Sequence, residues 1–230
     1  MNVRILRQPA PDADARWESF DVDVTGDMSV AALLDRINYD DDVIDAEGNP
    51  TTRIGWESSC LQGVCGACAM VVNGRPVLAC ETFVRDLRGD SIEIRPLRKF
   101  PVVRDLIVDR STIQESLMRA NVSIESYEPN ETGRRSKQER RRRHQYEVAR
   151  CLKCGLCLEV CPSYTNGRTF FGALFANDCY LVAMRNKSKA AEAKALYGEH
   201  FGRDCSKAFS CMDVCPANIS TIASMAHLNR

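Results

Sequence analysis

Cys151-Leu152-Lys153-Cys154-Gly155-Leu156-Cys157-Leu158-Glu159-Val160-Cys161-Pro162 is the stretch on which the fold turns. Thiols stand at positions one, four, seven and eleven of the run, and a proline closes it. The same frame returns nearer the C-terminus as Cys205-x5-Cys211-x3-Cys215-Pro216, with Ala208 at position four in place of a thiol. Upstream, Cys60, Cys65, Cys68 and Cys80 form a third group spaced C-x4-C-x2-C-x11-C. Eleven of the twelve cysteines fall in these groups, and Cys179 stands apart.

These spacings predict iron–sulfur chemistry. A [2Fe–2S] cluster needs four thiolates, and C-x4-C-x2-C with a distant fourth cysteine is the plant-type ferredoxin arrangement. Cys60, Cys65, Cys68 and Cys80 fit it, and Gly63 and Gly66 sit where the backbone must fold closely over the cluster. The run C-x2-C-x2-C-x3-C-P is the bacterial ferredoxin pattern, whose fourth cysteine serves the other cluster of a pair. Crossing the ligands in that way gives Cys151, Cys154, Cys157 and Cys215 to a [4Fe–4S] cluster. Cys161, Cys205 and Cys211 are left, and because Ala208 cannot bind iron they predict a [3Fe–4S] cluster.

Zinc and disulfides fit the pattern less well. Zinc is usually held by two C-x2–4-C pairs, not by a three-cysteine run ending in Cys-Pro twice. Disulfides need an oxidising compartment, and cysteines this close bridge poorly. Cys179 lies on an apolar stretch, where a small buried thiol is an ordinary packing residue. His144, His200 and His227 lack a metal-site spacing and are expected at the surface or in packing.

The 230 residues suit two domains of ordinary size, and 44% hydrophobic residues suffice for packed cores. The formal net charge of zero hides a split. Residues 1–100 carry 11 Lys/Arg against 17 Asp/Glu, and residues 101–230 carry 20 against 14. Such a split points to different neighbours for the two halves. Nucleic acid is excluded as a partner, since the basic half has neither zinc-finger spacing nor an aromatic platform. The basic run of Arg134, Arg135, Lys137 and Arg140 to Arg143 fits either a solvated helix face or contact with an acidic partner or lipid headgroups. Met1 to Arg7 has no apolar core of a signal peptide. No stretch reaches the roughly 18 apolar residues of a membrane span. The best candidate, Phe170 to Met184, is broken by Asn177 and Asp178.

The expected fold is α+β: a β-grasp, plant-type [2Fe–2S] ferredoxin domain over residues 1–102, then an all-α, bacterial-ferredoxin-like domain over 103–230. Asn2–Arg7 and Trp17–Val24 read as a strand pair. Ser29 opens a helix through Val30, Leu33, Leu34 and Ile37. Asn73-Gly74 predicts a type I′ hairpin that returns Cys80 to Cys68. Ser91–Arg95 is a closing strand, and Pro96 to Pro101 reads as the connector between domains. Helices are expected over Glu139–Val148, Ala190–Leu196 and Thr221–Leu228, with Phe171, Phe175, Cys179 and Val182 forming one helical stripe.

Ser59-Cys60-Leu61-Gln62-Gly63-Val64-Cys65-Gly66-Ala67-Cys68-Ala69-Met70, with Asn73-Gly74 and Leu78-Ala79-Cys80, resembles the iron–sulfur subunit of succinate dehydrogenase and fumarate reductase. Phe100-Pro101-Val102-Val103-Arg104-Asp105-Leu106-Ile107-Val108-Asp109 is similar to that family's interdomain segment, and the paired Cys-Pro motifs extend the likeness over the whole chain. The resemblance implies a subunit that relays electrons through [2Fe–2S], [4Fe–4S] and [3Fe–4S] clusters. The partners implied are a flavoprotein with covalently bound FAD and a membrane anchor or cytochrome carrying quinone and, in some members, haem. It implies a quinone-linked oxidoreductase whose substrate chemistry lies in the flavoprotein, so no catalytic residue is expected here. Peripheral association with the cytoplasmic face of a membrane is expected as well. Two alternatives keep the clusters: a related flavin-dependent reductase of another unsaturated acid, and a free-standing multi-cluster ferredoxin. The chain departs from the family pattern at Leu61-Gln62, where members commonly carry Arg-Glu. It departs again at Tyr164-Thr165-Asn166 and Ser206, where many carry a Trp-rich segment and a His near the quinone.

Overall fold

The structure, a computed structural model, describes residues 1–121, 137–165 and 167–230, the side chains of 137–141 excepted. Most of the basic run (Arg134, Arg135 and the side chains of Lys137, Arg140 and Arg141) and Asn166 therefore lie outside the described residues. The chain divides into two compact units, Met1–Asp109 and Arg110–Arg230.

The first unit is built on a five-stranded sheet. Its strands are β1 (Asn2–Arg7), β2 (Arg16–Asp21), β5 (Ala69–Val72), β6 (Arg75–Leu78) and β7 (Ser91–Arg95), in the order β2-β1-β7-β5-β6. β1 runs antiparallel to β2 and parallel to β7, and β5 is antiparallel to both β6 and β7. Val3 and Ile5 of β1 face the core with Ile92 and Ile94 of β7, the period-two pattern of a sheet with one buried face. β2 stops at Asp21, short of the expected Val24, because the pairing ends where β1 does, with Val22 bonded to the Met1 carbonyl. Helix α1 (Val30–Ile37) begins at Ser29, whose hydroxyl accepts from the Ala32 N–H, and it buries Val30, Leu33 and Leu34.

Two short hairpins complete this unit, β3–β4 (Val43–Ile44 with Pro50–Thr51) and β8–β9 (Val102–Arg104 with Ile107–Val108). The second hairpin corrects the expectation that the chain turns helical from about residue 103. It is fastened to the first unit by Asp105, which accepts from the Gln8 and Gly55 N–H groups at 3.1 and 2.8 Å and from Arg7 Nη2 at 3.2 Å. The division thus falls at Asp109/Arg110, beyond 102/103. Pro96–Pro101 is packed chain with Leu97 and Phe100 buried, not an open connector.

The second unit is helical: α2 (Ser111–Arg119), α3 (Lys137–Ala149), α4 (Leu156–Glu159), α5 (Gly172–Arg185), α6 (Ala190–Tyr197), α7 (Ser210–Asp213) and α8 (Thr221–Leu228). Helix α5 is its axis, packed against α2, α3, α4, α6 and α8. Every residue of α5 from Gly172 to Ala183 is buried, so the expected single stripe through Phe175, Cys179 and Val182 is a helix enclosed all round. The histidines pack as expected. His144 Nε2 lies 3.0 Å from the Ser224 hydroxyl, His200 stacks on Phe171 with ring centroids 4.2 Å apart, and His227 lies against Tyr180. Among the described residues, no helix is long and apolar enough to cross a membrane.

Candidate iron–sulfur sites

In the first unit, the hairpin places the fourth cysteine. Asn73 and Gly74 have φ of +47° and +76°, the type I′ geometry that returns β6 along β5. The Ala79 N–H then donates to the Cys68 carbonyl at 3.0 Å, and a 3-10 turn over Ala79–Glu81 sets Cys80 Sγ 3.3 Å from Cys68 Sγ. Cys60 and Cys65 come from the preceding loop. Leu61, Gly63 and Gly66 take left-handed φ of +54°, +71° and +81° there, which turns successive N–H groups inward. Gln62 N donates to Cys60 Sγ at 3.4 Å and Ala67 N to Cys65 Sγ at 3.5 Å. The bond from Gln62, then those from Cys65 and the Val64 N–H, lower the Cys60 thiol to about 7. Burial foremost, followed by the neighbouring Cys68, pushes Cys80 up to about 12.

The second unit repeats one backbone device. Laid frame on frame, Lys153 corresponds to Lys207, Cys154 to Ala208, and Gly155 to Phe209. Lys153 and Lys207 have φ of +55° and +56°, and Gly155 and Phe209 have +86° and +57°. Each loop leads into a four-residue helix, α4 or α7. The geometry survives in the second copy although its thiol does not. A left-handed φ at Phe209 is uncommon for an aromatic residue, and it repeats the turn that Gly155 makes in the first copy.

Cys151, Cys154 and Cys157 line one concavity together with Cys215, which comes from the other run. Gly155, Leu156, Leu174 and Ile219 complete its walls. Burial raises Cys151, Cys154 and Cys157, Cys154 to about 11 and Cys157 well above the ordinary thiol range. The Ile219 N–H donates to Cys215 Sγ at 3.4 Å. Around the remaining thiols, Cys211 is pushed up to about 11 by burial and then by the charges of Cys161 and Cys205. Free thiols in such surroundings hold their protons, whereas a bound cation supplies the charge that stabilises thiolates.

None of the twelve cysteines is in a disulfide, Cys68 and Cys80 included. Among the described residues, no three Cys, His, Asp or Glu side chains converge tightly enough to hold a single metal ion. Thiols spread around a cavity suit a cluster of several irons better than one zinc ion, which draws its ligands to within about 2.3 Å. Cys179 is fully buried on α5, and burial raises its thiol far above the ordinary range. Two polar residues within the buried stretch of α5 are the sequence signal of partners that spacing does not name: Asp178 accepts from Lys153 Nζ at 2.6 Å, and Asn177 Nδ2 donates to the Thr221 hydroxyl at 3.2 Å.

A family model described as a 2Fe-2S iron-sulfur cluster binding domain matches residues 2–115, and one described as a 4Fe-4S dicluster domain matches residues 147–219. The chain is 34% identical over 233 residues to the succinate dehydrogenase iron-sulfur subunit of Bacillus subtilis, covering 98% of this chain and 90% of that one. The chain belongs to the succinate dehydrogenase and fumarate reductase iron–sulfur subunit family. The fumarate reductase iron-sulfur subunit of Haemophilus influenzae is 32% identical, again covering 98% and 90% of the two chains. A chain of the Mycobacterium smegmatis Sdh1 complex in the apo form superposes with a TM-score of 0.72 at 23% identity, covering 99% of this chain and 94% of its own, which shows the shared fold. Like the domain models of this family, the chain has a [2Fe–2S] ferredoxin domain followed by a [4Fe–4S] ferredoxin domain.

Proposed function

We propose that this chain is the electron-transfer subunit of a succinate dehydrogenase or fumarate reductase complex, working between the FAD of a flavoprotein subunit and a quinone at a membrane anchor. The observation that carries the reading is the crossed thiol set, in which Cys215 shares a concavity with Cys151, Cys154 and Cys157. On this reading those four residues hold the [4Fe–4S] cluster. Cys60, Cys65, Cys68 and Cys80 hold the [2Fe–2S] cluster, and Cys161, Cys205 and Cys211 hold the [3Fe–4S] cluster.

When bound, the clusters supply one-electron carriers, which a two-electron flavin needs in order to exchange with a quinone. The chain's own residues supply thiolates, N–H donors to sulfur such as those of Gln62 and Ile219, and apolar walls such as Leu156 and Leu174 that exclude water. The strand order of the first unit and its helix α1 fit a β-grasp domain, and the two thiol loops of the second fit a bacterial-ferredoxin arrangement. The acidic first hundred residues face the flavoprotein and the basic half lies toward the membrane, with the complex on its cytoplasmic face.

Purification of the whole complex without air, followed by iron and sulfide analysis and low-temperature electron paramagnetic resonance, tests this reading. Co-purification with a flavoprotein and signals from all three cluster types are expected. A stable monomer carrying its clusters alone would support the free-standing ferredoxin. A complex active on a different unsaturated acid, and inert toward succinate and fumarate, would support the related reductase.

A further inference from the structure

The buried stretch of helix α5, Gly172 to Ala183, carries an amide and a carboxylate, Asn177 and Asp178, which are 4% and 1% exposed. Both carboxylate oxygens of Asp178 accept from Lys153 Nζ, at 2.6 and 2.7 Å. Lys153 belongs to the loop between Cys151 and Cys154 and lines their concavity. Its left-handed φ of +55° lets its own N–H donate to the Cys151 sulfur. Lys153 stands in the wall of the concavity and Asp178 does not, so the positive end of the pair is the end nearer the site.

Stability alone does not call for such a pair, since replacing a buried ion pair by apolar side chains is often neutral or stabilising. The matching Lys207 of the second loop is exposed to solvent. The device thus serves one site and not the other.

We propose that Lys153, held in place by Asp178, is a positioning residue that sets the reduction potential of the four-thiol site apart from that of the three-thiol site. The proposal rests on the ligand sets given above. Reduction adds one electron, and so one negative charge, with no bond made or broken. An ammonium group fixed nearby in a low-dielectric wall favours the reduced state. Asp178 holds that ammonium against the loop and offsets part of its field.

The test is a potentiometric titration of the whole complex without air, with each cluster followed by its own paramagnetic signal. Asp178→Asn removes the offsetting charge at nearly constant size. It should raise the four-iron midpoint by about tenfold in the reduction equilibrium, or about 59 mV for one electron, and leave the other two midpoints in place. Lys153→Gln, at a side chain 28% exposed, should lower the same midpoint. A four-iron midpoint that is unmoved, or moved the wrong way, in whichever variant keeps its cluster overturns the proposal. Equal movement of all three clusters also overturns it. Loss of the four-iron cluster from both variants would reduce the pair to structural support and overturn it too. A wild-type complex with no four-iron signal would overturn the ligand reading, and the proposal with it.

Discussion

Cys80 Sγ lies 3.3 Å from Cys68 Sγ although twelve positions separate the two residues. The two-residue turn at Asn73-Gly74 makes this possible, because it folds β6 back on β5 in a register that pairs Ala69 with Leu78. The next residues, Ala79 and Cys80, are thereby delivered to Cys68.

Gly74→Val is expected to damage the [2Fe–2S] site from a distance. A side chain at Gly74 would meet nothing within 4 Å, so the penalty comes from its φ of +76° alone. Forcing a non-glycine residue into that region costs about 1–2 kcal/mol. The first unit should melt earlier, with early loss of the visible circular dichroism of the cluster. Gly74→Asn should behave almost as wild type, since Asn tolerates this conformation.

Gly172→Ala combines strain with a clash. The new methyl would stand 2.2 Å from Leu158 Cδ2, at a φ of +78°. Overpacking a core typically costs about 1–3 kcal/mol, and the backbone strain adds to it. Leu158 is buried within the thiol run. Thermal denaturation of the variant should therefore begin with release of iron from the second unit, and Leu158→Val should restore part of the loss.

Asp105→Ala removes the acceptor shared by Arg7, Gln8 and Gly55. Arg7 keeps Glu18 as a partner. The expected cost is therefore about 3 kcal/mol, the lower end for breaking a buried ion pair. Chemical denaturation of the purified variant checks the value. A loss near zero would mean that the β8–β9 hairpin is held by its apolar residues alone.

Cys179→Ser should lower stability by about 1–2 kcal/mol, because it buries a hydroxyl where a weakly polar thiol packed. Iron content and every cluster signal should remain. Disappearance of a whole cluster would show that the ligand sets had been drawn wrongly.

Ala208→Cys restores a thiol at the position matching Cys154, in a loop that has kept its left-handed turns at Lys207 and Phe209. Partial or full conversion of the three-iron site to [4Fe–4S] is expected, with a lower potential and slower quinone-linked turnover. The measurement is the loss of the oxidised three-iron signal. Its full retention, with unchanged iron content, would show that the loop cannot present a fourth ligand.

The sequence by itself determined the three thiol groups, the alanine in place of a thiol at 208, the Asn73-Gly74 hairpin and the Ser29 cap. These depend on spacing and local backbone chemistry, which a linear chain displays directly. Three features were decided only by the tertiary structure. Asp105 ties residues 102–109 to the first unit, through bonds to positions as distant as Arg7. Burial of α5 on every side depends on the helices packed around it. The Lys153–Asp178 pair joins a loop and a helix whose residues lie 25 positions apart. Long-range bonds and enclosure leave no periodic trace in a sequence, because they depend on which surfaces meet after the local elements have formed.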